Sequence, residues 1–309
     1  MNGFLNLLKP PGMSSAAAVG LVKRLSGARV GHAGTLDPEA CGVLPVMVGK
    51  ATRLLPYFED KGKEYIAQIC FSCATDTQDA QGRMTEPGRG MPSEDELLAV
   101  LPAFMGDILQ RPPAYSALKR DGQPLYALAR QGKTVETEPR PVRVDEIELL
   151  HLLAPLTAVL RVRCGGGTYI RTLCHDIGQR LGRPAHMRLL IRTRSGCFAL
   201  AASHTVEEVQ RAAEAGALSS LLAPMDTPVA SLRAVSLSGK ALRRVLNGVR
   251  LPLSSFPVAE GERVRLLGDG ELIGLGEGRN GLLDLPLLLT DQVDFLSRHP
   301  HSSAPGSAE

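Results

Sequence analysis

The stretch LTAVLRVRCGGGTYIRTLCHDIGQRLG, residues 156–182, decides the fold class because it carries two periodicities in succession. From Leu156 to Cys164, apolar side chains occupy every second position, which is the period of a β-strand. Three glycines follow, and from Ile170 onward apolar side chains recur at helical spacing until Gly182. A strand that turns directly into a helix predicts a mixed domain of helices and strands.

Capping residues predict further helices on either side of this stretch. Ser14 or Ser15 can cap a helix that ends at Gly27, since serine accepts from free backbone N–H groups and glycine adopts the left-handed conformation of a helix end. Ser93 and Thr205 each open a capping box, with glutamate three residues later, and so predict two more helices.

Composition excludes several classes of protein. With 309 residues, of which 44% are hydrophobic and 22% charged, the chain has the make-up of a globular protein of about two domains. No apolar run approaches the roughly 20 residues of a membrane helix, and Lys9 and Pro10 interrupt any secretory segment. Six cysteines in a chain of this length suggest neither a disulfide framework nor a metal site. We therefore expect a cytoplasmic protein without membrane attachment or metal.

The pattern of predicted elements changes after residues 226–228, Asp-Thr-Pro. A short basic helix and several brief, glycine-punctuated strands are predicted there, as in a small barrel. The sequence thus predicts a large mixed domain, residues 1–225, a small β-rich domain, residues 226–297, and a disordered tail, residues 298–309.

Positive charge is concentrated in two segments. Residues 161–194 carry eight arginines and one acid, for a net +7, and residues 111–143 carry +4, so the remainder is acidic. Such segments favour a surface track for a polyanion, that is, a basic surface on which lysine and arginine neutralise the phosphates of a bound nucleic acid. The alternative is an ordinary solvated surface.

The segment GHAGTLDPEACGVLP, residues 31–45, places three glycines around a single aspartate, Asp37. Glycine permits sharp turns, and Pro38 disfavours a helical conformation for Asp37, so its carboxylate can project from a fixed turn. Alternatively, Asp37 caps a helix that starts at Pro38. The segment matches neither a P-loop nor a nucleophile elbow.

Other candidate residues flank the predicted elements. Tyr169 and Arg171 lie where a helix begins, a position that favours anions, and the apolar neighbours of Arg171 favour a buried carboxylate partner over a surface charge. Tyr169 could equally be a half-buried core aromatic. Tyr65 opens a strand predicted over residues 65–72, where packing is its usual role, and His32 could be an ordinary loop histidine.

Together these segments resemble the tRNA pseudouridine synthase B (TruB) family over about residues 4–196. One departure is Ile191, which stands where the family has the first arginine of a Leu-Arg-Arg-Thr stretch. The resemblance is carried by five motifs: LKPPGMSS (8–15), GHAGTLDPEACGVLPVMVGKATR (31–53), KEY (63–65), RPPAYSALK (111–119) and CGGGTYIRTL (164–173).

The resemblance implies an α+β protein. Its catalytic domain would have a central, largely antiparallel sheet and an RNA-binding insertion at about residues 111–143, followed by a small C-terminal β-rich PUA-like RNA-binding domain. The implied partner is tRNA, bound through its T-arm stem-loop by a monomer that requires no protein partner.

The implied reaction converts the T-loop uridine at position 55 of tRNA to pseudouridine. The uracil is detached, rotated and rejoined through C5, without cofactor or metal. The family's catalytic aspartate corresponds to Asp37, and its arginine partner, which favours the ionised carboxylate, corresponds to Arg171.

The target base must also be flipped out of the folded loop. By resemblance, His32 fills the vacated stack, and Tyr65 stacks on the flipped uracil and can shuttle a ribose proton. Tyr169 and Leu190 correspond to positions that line the uracil pocket. Two other functions remain open: an RNA-binding or tRNA-folding chaperone with dispensable catalysis, and a small-molecule enzyme with a glycine-rich anion loop.

Overall fold

The computed structural model describes residues 1–113, 119–120, 123–124 and 137–299. Most of the predicted RNA-binding insertion and residues 300–309 of the predicted tail lie outside these ranges. Six α-helices are described: α1 (Ser15–Ser26), α2 (Glu94–Val100), α3 (Ile170–Arg180), α4 (Val206–Glu214), α5 (Gly239–Leu246) and α6 (Gln292–Arg298). Short 3-10 helices span Gly49–Arg53, Leu55–Tyr57, Leu101–Phe104, Leu200–Ala202, Leu218–Leu221, Thr227–Val229 and Leu253–Ser255.

Nineteen strands are described. They are β1 (Gly3–Lys9), β2 (Val30–His32), β3 (Cys41–Val48), β4 (Lys63–Cys70), β5 (Cys73–Thr75), β6 (Met84–Pro87), β7 (Gly106–Gln110), β8 (Lys119–Arg120), β9 (Gln123–Pro124), β10 (Arg140–Leu153), β11 (Thr157–Cys164), β12 (His186–Ser195), β13 (Phe198–Ala199), β14 (Leu222–Ala223), β15 (Arg233–Leu237), β16 (Leu251–Pro252), β17 (Arg263–Gly268), β18 (Glu271–Arg279) and β19 (Leu282–Leu288).

A ten-stranded sheet forms the body of the molecule. Its main path runs β14-β1-β3-β12-β4-β11-β10-β7, with β2 paired to β3 and β13 paired to β12. Among these pairs, β3 and β12 are parallel and the others are antiparallel. The expectation of an α+β protein with a central, largely antiparallel sheet is therefore confirmed.

The periodicities of residues 156–182 appear in the structure as β11 followed by α3. Along β11 the side chains of Leu160, Val162 and Cys164 are buried, whereas Arg163 is exposed. On α3, Leu173 and Ile177 are buried and join the same apolar cluster. The apolar faces of β11 and α3 are buried against each other, so the first turn of α3 lies on the sheet. This packing positions Arg171, which belongs to that first turn.

The predicted caps are present. The Ser14 side chain accepts from the backbone N–H of Ala17, and both capping boxes, at Ser93 and Thr205, are complete. None of the helices in the described ranges is long and apolar enough to cross a membrane.

A second, five-stranded sheet follows in the order β15-β17-β18-β19-β16, which bears out a β-rich C-terminal part. One apolar cluster joins the two sheets, because Phe4 and Met47 of the first pack with Leu275 and Leu287 of the second. The hydroxyl of Tyr57 also donates to the carbonyl of Pro286 over 2.9 Å. The domain division at residues 225/226 stays a prediction.

The last helix corrects the start of the predicted tail. Arg298 ends α6 and forms an ion pair with Glu271, and the ring of His299 stacks on Phe295 with 4.4 Å between centroids. The polar composition of residues 298–309 pointed to disorder, but these tertiary contacts, which local composition does not reveal, order its first two residues.

Candidate active site

A cavity of about 680 Å³ opens beside the ten-stranded sheet. Its walls are the start of α1, the loop that contains Asp37, residues 77–81, the first turn of α3 and residues 187–190 of β12. Four of the residues predicted for the site line this cavity: His32, Asp37, Arg171 and Leu190. Segments far apart in the sequence thus meet around a space large enough for a nucleotide.

Asp37 lies in a turn and not at a helix end. No helix begins at Pro38, and the backbone N–H of Ala40 donates to the Asp37 carbonyl over 3.1 Å. The alternative that Asp37 caps a helix is therefore wrong, since the prolyl turn is not continued. The carboxylate instead faces Arg171, whose guanidinium lies 3.3 Å from Oδ1.

Arg171 is held between two carboxylates. Its side chain is only 6% exposed and lies 3.3 Å from Asp37 and 3.6 Å from Asp79. The predicted carboxylate partner is confirmed, but the sequence interpretation did not single out Asp79. The sequence feature that could have indicated Asp79 is the polar run TDTQDAQG (75–82), which by itself resembles an ordinary turn between short strands.

The loop that carries Asp79 is fixed by its own polar groups. The hydroxyl of Thr77 donates to the Asp79 carboxylate over 2.6 Å, and the hydroxyl of Thr75 donates to the Asp79 carbonyl over 2.7 Å. The Gln78 carbonyl accepts from the N–H of Met187, which ties the loop to β12. Asp79 therefore holds Arg171 from a rigid position.

Two opposing influences act on the pKa of Asp37. Desolvation inside the cavity wall raises the pKa, and the nearby carboxylate of Asp79 raises it further. The charge of Arg171 lowers it, with a smaller contribution from Lys9. The net pKa of Asp37 is raised, so Arg171 is the main group that keeps the carboxylate ionised.

Buried polar side chains hold the Asp37 loop in place. Arg192, which is fully buried, donates to the carbonyls of Gly34, Thr35 and Val43 over 3.0, 3.2 and 2.7 Å. A guanidinium fork suits this task because it can donate in several fixed directions. The loop backbone around Asp37 is thus anchored to strand β12.

Two residues near the N-terminus complete the anchorage. The Lys9 ammonium, also fully buried, donates to the carbonyl of Pro38 over 2.9 Å, and burial lowers its pKa to about 8. The Ser15 hydroxyl both accepts from the N–H of Leu36 and donates to its carbonyl, each over 2.9 Å. The sequence indicated no site role for Lys9 or Arg192 and marked Ser15 only as a possible helix cap, because the partners of these buried polar groups are distant in the sequence.

The close approach of strands β3 and β12 requires a glycine at position 42. Gly42 has φ +109°, and a Cβ there would lie 2.2 Å from the carbonyl oxygen of Arg192. Only glycine allows β3 to pass β12 at this distance. The anchoring strand and the Asp37 loop are thereby kept in contact.

Replacing Arg192 with lysine tests this anchorage. Lysine cannot satisfy three carbonyls in fixed directions, so we expect the free energy of unfolding to fall by about 2 to 4 kcal/mol. Urea unfolding measures this change. Arg194→Lys on the same strand is the control, because Arg194 is 37% exposed and pairs with Asp60. Equal losses in the two variants would contradict the anchoring role.

The two tyrosines predicted for the site do not line the cavity. Tyr65 is 6% exposed and belongs to the same core cluster as Leu36 and Leu190, which line the cavity. Burial raises the pKa of Tyr65 to about 12, with a partial offset from the charge of Arg192. Its phenol is therefore protonated in the absence of a bound ligand.

Tyr169 precedes the first turn of α3. Gln110 holds its backbone on both sides, with the Tyr169 N–H donating over 2.7 Å and its carbonyl accepting over 3.0 Å. Its ring lies 5.8 Å from the Arg171 guanidinium. Tyr169 thus contacts the site through Arg171.

His32 is a neutral ring at the edge of the cavity. Burial lowers its pKa, and the charge of Arg192 lowers it further. Its Nδ1 is buried and has no hydrogen-bond partner among the described residues. An uncharged, partly buried ring of this kind can stack against a nucleobase.

The basic segment, residues 161–194, carries fewer available charges than the sequence suggested. Two of its eight arginines, Arg180 and Arg188, are exposed and form no ion pair within the described ranges. The other six are engaged inside the protein, five in ion pairs and one on backbone carbonyls: Arg161, Arg163, Arg171, Arg183, Arg194 and Arg192. The expected +7 track is corrected, because acids from other strands, loops and a helix lie beside these arginines.

Comparison with known families matches most of the chain. Residues 23–170 match the family "TruB family pseudouridylate synthase (N terminal domain)", and residues 171–230 match "tRNA pseudouridylate synthase B C-terminal domain". The chain belongs to the TruB family. The boundary between the two matches falls at the Arg171 site, so both contribute to the cavity.

Relatives and solved structures agree with this membership of the TruB family. The chain is 43% identical to tRNA pseudouridine synthase B of Heliobacterium modesticaldum, with 90% of each protein covered. It is 39% identical to tRNA pseudouridine synthase B of Pelotomaculum thermopropionicum, with 98% of this chain and 100% of that protein covered.

Two solved structures share the fold. A chain in a crystal structure of a Cbf5-Nop10-Gar1 complex is 29% identical, with a TM-score of 0.71 over 95% of this chain and 86% of that one. A chain in the structure of an H/ACA RNP bound to a substrate RNA containing 2'-deoxyuridine is 27% identical, with a TM-score of 0.70 over 94% and 86%.

Proposed function

We propose that this protein converts the T-loop uridine at position 55 of tRNA to pseudouridine. The observation that carries the proposal is the ion pair between Asp37 and Arg171 at the wall of a nucleotide-sized cavity, in a chain of the TruB family. Its relatives named tRNA pseudouridine synthase B support tRNA as the substrate.

Asp37 is the catalytic carboxylate in this proposal. The reaction breaks the bond between N1 and C1′, turns the base and forms a bond between C5 and C1′, while C5 loses a proton and N1 gains one. An ionised carboxylate can act as the nucleophile or stabilise the electron-poor species formed when the base leaves. The Arg171 guanidinium favours that ionised form and fixes its direction.

Two further residues would receive the flipped base, and two others would support the rearranged RNA and the pocket. Leu190 lines the same cavity as Asp37 and would contact the uracil, and Tyr65, which belongs to the same apolar cluster as Leu190, would stack on it. His32 would occupy the stack that the base leaves, a role suited to its neutral ring. Tyr169 would support the pocket through its contact with Arg171.

The proposal extends to partners. The insertion around residues 111–143 and a PUA-like part at residues 226–297 would bind the T-arm. We also propose that the protein acts as a monomer without a protein partner, since Asp37, Arg171 and Asp79 all come from one chain. Neither cofactor nor metal enters any step proposed for these residues.

Tritium release tests the proposed reaction. A T-arm transcript labelled at C5 of uridine should lose one tritium per RNA, because bond formation at C5 expels the hydrogen there. A transcript with cytidine at the target position, but with the other uridines still labelled, is the control and should lose none.

The other candidate functions give different results. Tight RNA binding without release would indicate an RNA-binding or tRNA-folding chaperone. If the protein showed neither RNA binding nor tritium release, the small-molecule enzyme would be the remaining candidate. The arrangement of a buried Arg171 between two carboxylates favours catalysis, because binding of RNA by itself does not require such an ion pair.

A further inference from the structure

Arg188 occupies an unusual place in strand β12. The register of β12 against β4 shifts between Met187 and Leu189, which leaves Arg188 as the extra residue of a β-bulge. Bulges beside active sites commonly redirect a side chain. Here Arg188 is exposed and lines the cavity that holds Asp37 and Arg171.

The charges around this cavity are otherwise unsuited to RNA. Three acids, Asp37, Glu39 and Asp79, line it together with two bases, Arg171 and Arg188. Arg171 is already engaged with both Asp37 and Asp79. Among the described cavity residues, Arg188 is thus the cation outside an ion pair, while Glu39 is exposed and would repel a phosphate.

We propose that Arg188 binds a backbone phosphate next to the target nucleotide and positions it over Asp37. This inference rests on the proposed function, which brings RNA into the cavity. A guanidinium is suited to a phosphodiester because it can donate two parallel hydrogen bonds to its oxygens. The neighbouring Leu189, 40% exposed at the same bulge, offers an apolar surface to the adjoining nucleotide.

The same strand shows why the contact falls at this position. Two residues along, Leu190 is buried against the core and Ile191 is only partly exposed, pairing with Ile66 and Cys41. Arg192 is fully buried on loop carbonyls, and Arg194 pairs with Asp60. On β12, a phosphate contact inside the cavity therefore falls to Arg188, three residues before the position where Ile191 replaces an arginine.

Binding measurements in a salt series test the proposal. They use protein carrying Asp37→Asn, so that no turnover occurs, and a T-arm stem-loop RNA as the probe. Adding Arg188→Ala should weaken binding about tenfold. It should also reduce the slope of log K against log salt by about 1, because one fewer counterion is released.

Arg180→Ala in the same background is the matched control, since Arg180 is exposed at the end of α3 and lies outside the cavity lining. It should leave affinity and salt slope nearly unchanged. Because Arg188 is exposed, its replacement should fold normally, and Arg188→Glu should weaken binding further than alanine. Equal effects of Arg180→Ala and Arg188→Ala would overturn the proposal.

Neutralised RNA linkages locate the contact. T-arm RNAs with one methylphosphonate on either side of the target uridine remove single phosphate charges. When the contacted linkage is neutralised, Arg188→Ala should cause no further loss of affinity for that RNA. If the losses from Arg188→Ala and from the methylphosphonate add up at both linkages, the assignment is overturned. These readouts do not depend on turnover, so failure of tritium release by the wild-type protein would reject the proposed reaction separately.

Discussion

Replacement of Asp37 with asparagine is expected to abolish pseudouridine formation while leaving RNA binding intact. Asparagine has nearly the same shape, so the loop held by Arg192 and Lys9 should keep its conformation. It has no negative charge and is a poor nucleophile, so the turnover rate should fall by about 10^4-fold or more. Tritium release under single-turnover conditions measures the rate.

Binding of the T-arm stem-loop by Asp37→Asn, at wild-type affinity, is the accompanying control. Glu39→Gln offers a matched change of charge, because Glu39 lies two residues away, lines the same cavity and is exposed. It should retain turnover. A rate near wild type for Asp37→Asn would remove Asp37 from the catalytic role.

Arg171→Ala is expected to have the second largest effect. The change leaves the carboxylates of Asp37 and Asp79 in one cavity without the guanidinium that lies between them. The loss of a fixed electrostatic partner at a reacting group typically slows turnover by about 10^2- to 10^3-fold. Single-turnover rates at saturating RNA should show this loss in the chemical step.

The pH dependence distinguishes this role from a structural one. Arg171 lowers the pKa of Asp37 whereas desolvation and Asp79 raise it, so removal of Arg171 should raise that pKa further. The active, ionised form is lost as pH falls through the pKa of Asp37. The acid limb of the rate profile should therefore move to higher pH in Arg171→Ala. An unmoved acid limb would reject the electrostatic pairing.

Arg183→Ala provides the comparison for Arg171→Ala. Arg183 forms an ion pair with Glu96 in the same basic segment, but its side chain is 26% exposed and lies outside the cavity lining. Exposed pairs contribute little to stability, so this variant should keep both the turnover rate and the acid limb. Similar losses in the two variants would indicate a general effect of removing arginines.

The central elements could be predicted because their signals are local. Alternating apolar residues gave β11, helical spacing gave α3, and the capping boxes at Ser93 and Thr205 gave α2 and α4. Each signal depends on backbone periodicity or on a bond across three residues. Such patterns survive in the fold because burial of the apolar face reinforces them.

Charge was the property that local sequence described least well. The arginines of residues 161–194 appeared as a cluster because acidic partners such as Glu64, Glu146 and Glu148 lie outside that segment. Antiparallel pairing of β10, β11 and β4 places these acids beside Arg161 and Arg163. A net charge over a window therefore overstated the cations available to RNA.

The sequence by itself determined the mixed fold, and its resemblance to the TruB family gave the candidate pair of Asp37 with Arg171, but it left open whether Asp37 lies in a turn or caps a helix. Only the tertiary structure placed Asp79 on the other side of Arg171, turned Arg192 into an anchor for the Asp37 loop and exposed Arg188 at a bulge in the cavity wall. The physical reason is range: a turn or a helix is set by neighbouring residues, whereas Arg192 reaches Val43 across 149 positions of sequence. Such contacts form only when the sheet brings distant strands together.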